Sequence, residues 1–242
     1  MKKLLVLALS LSVLLCACKK DVQETTDVTE KNEPIALTTA QTAKEVTTEP
    51  IVTEITHNYG DNVDAKYEVL TLKDEELDAI LTAKSEEILK SYIPNISSIK
   101  DLGGTAEYDV KLTRIYKSDN ILSAVFSGNY AIYYENSEEG GEVLYTVNID
   151  PKTGKILETP DIVDYEKMLA AFKGGRFDMV PDFSPYNAAY GIYPYVSIET
   201  VEDGLRLGVY VTNSGMYQQV LGCYISPADA QDFLKIQLTT EE

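Results

Sequence analysis

Histidine and tryptophan are almost absent from these 242 residues: there is one His, His57, and no Trp. Zinc hydrolases cluster two or three His or Cys ligands, and a Ser-His-Asp or Cys-His site keeps its base beside the nucleophile. A lone histidine upstream of the fold, where composition places His57, supports neither. Cysteine is equally sparse, with Cys16, Cys18 and Cys223 the three present. Only Cys223 falls in the part of the chain that looks globular, so no internal disulfide framework is available. It stands between Gly222 and Tyr224 in a strand-like stretch and is expected to be a buried, inert thiol. No glycine-rich phosphate loop followed by Lys-Ser/Thr occurs. Positive charge is scarce too: 21 Lys and Arg stand against 39 Asp and Glu, a formal charge of −18. Such a surface repels nucleic acid and anionic lipid and attracts cations. No metal and no cofactor are expected. Asp61-Asn62-Val63-Asp64 and Asp150 lack the EF-hand loop pattern and read as solvated turns.

The chain does have a strong amino-terminal signal. Met1-Lys2-Lys3 is a short basic segment, and residues 4–15 form an apolar run interrupted only by Ser10 and Ser12. That run is too short to span a bilayer, which takes about 20 residues, but it suits a signal-peptide core. It ends in Leu15-Cys16-Ala17-Cys18, which resembles the bacterial lipobox. Cys18 is the expected lipidation site, because a small residue precedes it; Cys16 follows Leu15 and fits poorly. The expectation is therefore a lipoprotein signal peptide over residues 1–17, cleavage before Cys18, and palmitate-type acyl chains on that cysteine. Two or more chains would hold the protein to the extracytoplasmic face of the cell membrane. Without Lys2 and Lys3 the balance is 19 against 39, a formal charge of −20.

Residues 19–58 hold ten threonines and no aromatic residue. A segment this poor in large apolar groups does not offset its ordering entropy, so residues 18–58 read as a disordered, Thr-rich tether. As a coil it would span roughly 35 Å. Thr-rich tethers are sometimes O-glycosylated, though nothing here requires it.

The first aromatic residue is Tyr59, and residues 59–242 read as one globular domain. Residues 67–72 suggest a strand. Thr71 and Asp74 then have capping-box spacing, and Leu77, Ile80, Leu81 and Ile88 recur at helical intervals up to Pro94. Alternation follows through Tyr108, Val110 and Leu112, through Leu122 to Tyr134, and through Val143 to Ile149. Gly103-Gly104, residues 118–120 and residues 137–141 serve as turns between them. Asp161 and Asp164 open a second helix with Ile162, Tyr165, Leu169 and Phe172 on its inner side, stopped by Gly174-Gly175. An irregular Pro- and Tyr-rich stretch leads to Asp203-Gly204, a hairpin signal, and the two strands it introduces meet around Asn213-Ser214-Gly215. Ser226-Pro227 should start a short closing helix to about Ile236. The fold class is α+β: an antiparallel sheet with helices packed on one face.

Seventeen tyrosines against five phenylalanines is an unusual ratio, and Tyr186, Tyr190, Tyr193 and Tyr195 crowd into ten residues. Tyrosine offers rigid area with a polar tip, suited to glycan or protein contacts, but equally to capping a sheet. Paired carboxylates acting on envelope glycan are the enzymatic alternative, since glycoside hydrolysis needs only two at a fixed separation.

Leu122-Ser123-Ala124-Val125-Phe126-Ser127, then Thr146-Val147-Asn148-Ile149-Asp150-Pro151-Lys152-Thr153-Gly154-Lys155 and the helix after it, resemble a family of extracytoplasmic bacterial domains. Asp203-Gly204-Leu205 and Ile225-Ser226-Pro227 match that family's end. It occurs at the C-terminus of the lysozyme-sensing anti-sigma factor of bacilli and as a non-catalytic module ahead of some peptidoglycan deacetylases. The resemblance covers about residues 67–236. Family members commonly carry a Gly-Gly-Ala-His-Pro-like loop before the Asp-x-x-Thr-Gly-Lys strand; here Gly140-Gly141 are present and no Ala-His follows, which would alter binding if that loop contacts a partner. No sigma-binding segment and no deacetylase domain is recognised, so neither activity is implied. What the resemblance implies is a non-enzymatic binding or sensing domain whose partner is a cell-wall glycan or a cationic muramidase such as lysozyme. The binding residues are not indicated.

Overall fold

The structure, a computed structural model, describes residues 49–93, 96–178, 190–201, 204–213 and 217–238. The signal segment, Cys18 and most of the expected tether lie outside the described residues, as do Pro94, Tyr186, Asp203 and Ser214-Gly215.

Order begins earlier than composition suggests. Strand β1 (Ile51–Tyr59) pairs antiparallel with β2 (Val63–Thr71) along its whole length, Ile51 opposite Thr71 and Tyr59 opposite Val63. Gly60 and Asp61 turn between them, both with φ of +65°. Residues 51–58, tether by composition, are strand in the structure. The polar threonines that suggested a coil alternate with Ile51, Val52 and Ile55, and β-branched residues of either polarity suit a strand. His57 is thus part of the sheet. Its ring stacks 5.5 Å from Tyr59 and 6.1 Å from Tyr67.

Helix α1 (Glu75–Tyr92) starts where Asp74 accepts the Leu77 N–H at 3.3 Å, with Glu75, Glu76 and Asp78 in the favourable first turn. Leu77, Leu81, Ser85, Ile88 and Leu89 are buried. Ile80, expected inside, is 49% exposed, because the buried stripe runs at i+4 from Leu77 and leaves Ile80 at its margin. A short helix α2 (Ile96–Asp101), not foreseen, leads through Gly103 (φ +68°) into β3 (Thr105–Lys117).

The helical crossover delivers β3 parallel to β2, Val63 opposite Ala106. The sheet is therefore mixed, which corrects the antiparallel expectation. β4 (Leu122–Tyr134) and β5 (Ser137–Ile149) then follow as antiparallel neighbours. Tyr134 pairs with Ser137, so the turn is Glu135-Asn136 and residues 137–141 are strand. Gly140 belongs in that strand because a Cβ there would sit 2.6 Å from the Tyr130 carbonyl oxygen.

β6 (Tyr190–Val201), β7 (Gly204–Asn213) and β8 (Tyr217–Ile225) form a three-stranded antiparallel sheet. A short parallel pairing of Gly140-Gly141 with Tyr217-Gln218 joins it to β5. The helix expected around Asp161 and Asp164 is two pieces, α3 (Thr159–Ile162) and α4 (Tyr165–Lys173), each with its own acidic cap. The stretch after Ser226 is a run of turns, not a helix: Ser226 Oγ accepts the Asp229 N–H at 3.1 Å, as a cap would, but bonds to i−3 and i−4 carbonyls alternate and no α-helix propagates.

Three cores result. α1 covers one face of β2–β5, burying Tyr67, Tyr108, Phe126 and Tyr145. α3, α4 and the closing turns bury Val196, Ile198, Leu207, Val209 and Cys223 of the three-stranded sheet. Val125, Leu144 and Tyr210 meet where the two sheets face each other. The helices thus serve two sheets rather than one face of a single sheet. Cys223 is fully buried, and burial pushes its thiol up to about 11, as expected of an inert cysteine.

Candidate binding face and the junction beside it

A strand presents alternate residues to opposite sides. In β2 to β5 one side is the α1 core; the other is covered by β6–β8 only at one end. Register aligns the uncovered residues in rows across the sheet. Asn58, Asp64, Glu107 and Ala131 form one row, and Thr56, Lys66, Asp109, Asn129 and Glu142 the next. Glu54 and Glu68 are cross-strand neighbours further along, and Tyr133 faces Glu138. Carboxylates therefore outnumber Lys66 and Lys111 heavily on this face. Lys66 registers the imbalance: its ion pair with Glu54 at 3.1 Å, reinforced by Asp109 and Asp64, holds its ammonium above the ordinary lysine range. A notch of about 300 Å³ opens at the border with β8, lined by Ser127, Asn129, Glu142, Leu144 and Val220. Glu142 is oriented there by the Val220 N–H, 2.6 Å from its carboxylate.

The covered end holds a buried polar junction. It depends on a bulge in β3: register slips between Leu112 and Arg114, leaving Thr113 unpaired. Leu112 opposes Phe126 and faces the α1 core, but Arg114 opposes Val125 and faces the other way. Were Thr113 paired with Val125 in regular register, Arg114 would fall opposite Ala124 and point into the apolar core. Its guanidinium instead reaches across to the second sheet, where Nη1 donates to Glu199 and, at 2.7 Å, to the Tyr224 hydroxyl. Glu199 is only 1% exposed. It also accepts from Ser197 Oγ at 2.5 Å and from the Tyr210 hydroxyl. Burial, then the neighbouring Glu199 carboxylate, raises the Tyr210 pKa. Burial opposes the charge on Arg114, but Glu199 and Tyr224 outweigh it and raise the guanidinium pKa further.

Two glycines make room for these groups. A Cβ at Gly208 would meet Ser197 Oγ at 2.6 Å, and one at Gly222 would meet the Tyr224 hydroxyl at 2.5 Å. A second set of bonds fixes the β6 backbone to the larger sheet. Ser123 Oγ donates to Asn148 Oδ1 at 2.6 Å and accepts from Ile198 N at 2.9 Å; Asn148 Nδ2 donates to the Val196 carbonyl at 2.9 Å. The junction is an interlock between sheets. Its Ser, Glu and Tyr hydroxyl and carboxyl groups satisfy one another.

Sequence reading singled out neither Glu199 nor Arg114. Of the tyrosine cluster, Tyr195 is half-buried against two of the cores; the side chains of Tyr186, Tyr190 and Tyr193 lie outside the described residues. Of the two acidic stretches read as turns, Asp61-Asn62 and the segment after Asp150 are turns, while Val63 and Asp64 already belong to β2. Asn62 Nδ2 donates to the Gly104 carbonyl at 2.9 Å, and Asp150 accepts from Lys152 N at 2.9 Å and Thr153 Oγ1 at 2.8 Å. Among the described residues no group of three or more His, Cys, Asp or Glu could hold a metal ion, and no helix is long and apolar enough to cross a membrane.

No protein-family model matches the sequence, and no curated protein matches it. Among solved structures, a DUF3298 family protein from Pseudomonas aeruginosa PAO1 superimposes with a TM-score of 0.47 at 12% identity, over 78% of this chain and 96% of that one. A DUF3298 family member from Bacteroides fragilis NCTC 9343 gives 0.26 at 17% identity, over 53% and 66%. Both of these structures are of proteins from a domain family without an assigned function.

Proposed function

We propose that this protein is a lipid-anchored surface module, acylated at Cys18, that binds a cationic partner on the open face of its larger sheet without catalysing a reaction. The observation that carries the reading is the acidic row structure of that face, set in a chain of net charge −18. Opposed potentials steer association and favour the correctly oriented encounter. A cationic muramidase such as lysozyme is the sharper form of the proposal, suggested by the resemblance to the lysozyme-sensing domain. The notch beside Glu142 has room for one lysine or arginine side chain of such a partner.

Titration of lysozyme against the purified full chain tests this. Saturable binding is expected at low salt, weakening as ionic strength rises. The double reversal Glu107→Lys with Asp109→Lys is expected to weaken it at least tenfold while leaving the circular-dichroism spectrum unchanged, since both side chains are exposed. Absence of saturable binding at low salt would remove lysozyme as the partner. Binding indifferent to the reversal would remove the acidic face.

A further inference from the structure

Two tyrosine hydroxyls in the α1 core have no visible purpose. Tyr67 and Tyr108 are 1% and 2% exposed, and neither hydroxyl has a hydrogen-bond partner among the protein groups. They sit on neighbouring strands, Tyr108 opposite Ala65, with their rings edge to face at 6.4 Å. Nearby, the Tyr145 hydroxyl solves the same problem by donating to Ser85 Oγ at 3.2 Å, and Ser85 is itself tied to the Leu81 carbonyl. Other core positions of this sheet are occupied without a polar tip: Phe126 stacks flat on Tyr145 at 4.8 Å. Phenylalanine would therefore suit the space at 67 and 108 unless the oxygens bind something. An unsatisfied buried hydroxyl carries its full desolvation penalty, and two of them on adjacent strands would be a heavy load for a domain of this size.

We propose that Tyr67 and Tyr108 form an internal hydration site, each hydroxyl hydrogen-bonded to ordered water enclosed between α1 and the sheet. Water is the ligand class that fits. A phenol both donates and accepts, so it can serve a small neutral molecule that does the same. The surroundings supply further polar groups: the Tyr108 hydroxyl is within electrostatic reach of those of Tyr145, Tyr92 and Tyr67, and the Tyr67 hydroxyl lies at the limit of hydrogen-bonding range from Glu86, too far for a well-formed bond. A polar contact too long for a direct bond, between groups sealed from bulk solvent, is the setting in which internal water is found.

The test compares Tyr67→Phe and Tyr108→Phe with the unaltered full chain by thermal unfolding. If water is bound, each substitution strips it of a partner and is expected to lower Tm by roughly 2–4 °C. If the hydroxyls are truly unpaired, removing them relieves a penalty and Tm rises or stays level, which overturns the proposal. A crystal structure of the unaltered protein supplies a readout independent of variant folding. Ordered solvent density within hydrogen-bonding distance of both hydroxyls is expected, and its absence at either one refutes the site.

Discussion

At the scale of single residues, Glu199 is held from three sides, by Arg114, Ser197 and Tyr210. It is a buried carboxylate whose one cationic partner, Arg114, belongs to another sheet and is half-exposed. Removing one member of a buried pair leaves the other without compensation, at a cost of about 3–5 kcal/mol. Arg114→Ala should therefore destabilise the protein by about 3 kcal/mol, the low end because water can approach from the arginine side. Denaturant titration reads this directly. The double variant Arg114→Ala with Glu199→Gln should recover part of the loss, since no charge is then left buried. A single-variant change below about 0.5 kcal/mol would mean the pair contributes no more than an ordinary surface ion pair.

At the scale of elements, the caps carry measurable stability. Asp164 receives the Lys167 N–H at 3.3 Å and its ammonium at 3.2 Å, and the backbone bond followed by that ion pair lowers its carboxyl pKa. Asp161 is lowered in turn by Lys155 and by the Glu158 N–H. A carboxyl whose folded pKa is depressed stabilises above its unfolded value and loses that contribution as pH falls through the folded one. Asp164→Ala should lower stability near neutrality, as chemical denaturation would show. The gap between variant and parent should close once pH drops well below the ordinary aspartate range; a gap independent of pH would show that the carboxylate charge is not what caps α4. How legible these elements were varied with the number of faces they bury. The three strands over residues 105–149 are legible, because Tyr108, Val110 and Leu112 face a core while Glu107, Asp109 and Lys111 face water; the turn between the last two is not, since Ser137 to Gly141 has turn composition but pairs as strand. That same alternation builds the acidic face, to which net charge alone does not point. β6 was invisible: Val196-Ser197-Ile198-Glu199 looks like a strand with one wet side, yet the second sheet covers Ser197 and Glu199. β1 was missed for the opposite reason, its burial being too slight to leave an apolar pattern.

At the scale of the whole molecule, charge works against compactness. Thirty-nine acids and 21 bases repel one another on balance, and salt screens that repulsion over a Debye length that shortens from about 30 Å at 0.01 M to about 8 Å at 0.15 M. Tm of the full chain should rise across that interval, as calorimetry at the two salt levels would show; a fall would mean that local pairs such as Lys84–Glu158 and Arg176–Asp232 outweigh the global field. The partner proposed for the acidic face would act in the same direction as salt, with the difference that it saturates. The bulge at Thr113 bears on descent rather than stability. Deleting that one residue would leave Leu112 opposite Phe126 and Arg114 opposite Val125, so every position to the end of β3 would keep its face; straightening the strand with Thr113 retained would instead exchange them all. One deletion at the bulge is thus absorbed by the pairing, whereas a change of length elsewhere in the strand would demand many substitutions at once. Length differences along β3 should therefore collect at this one position.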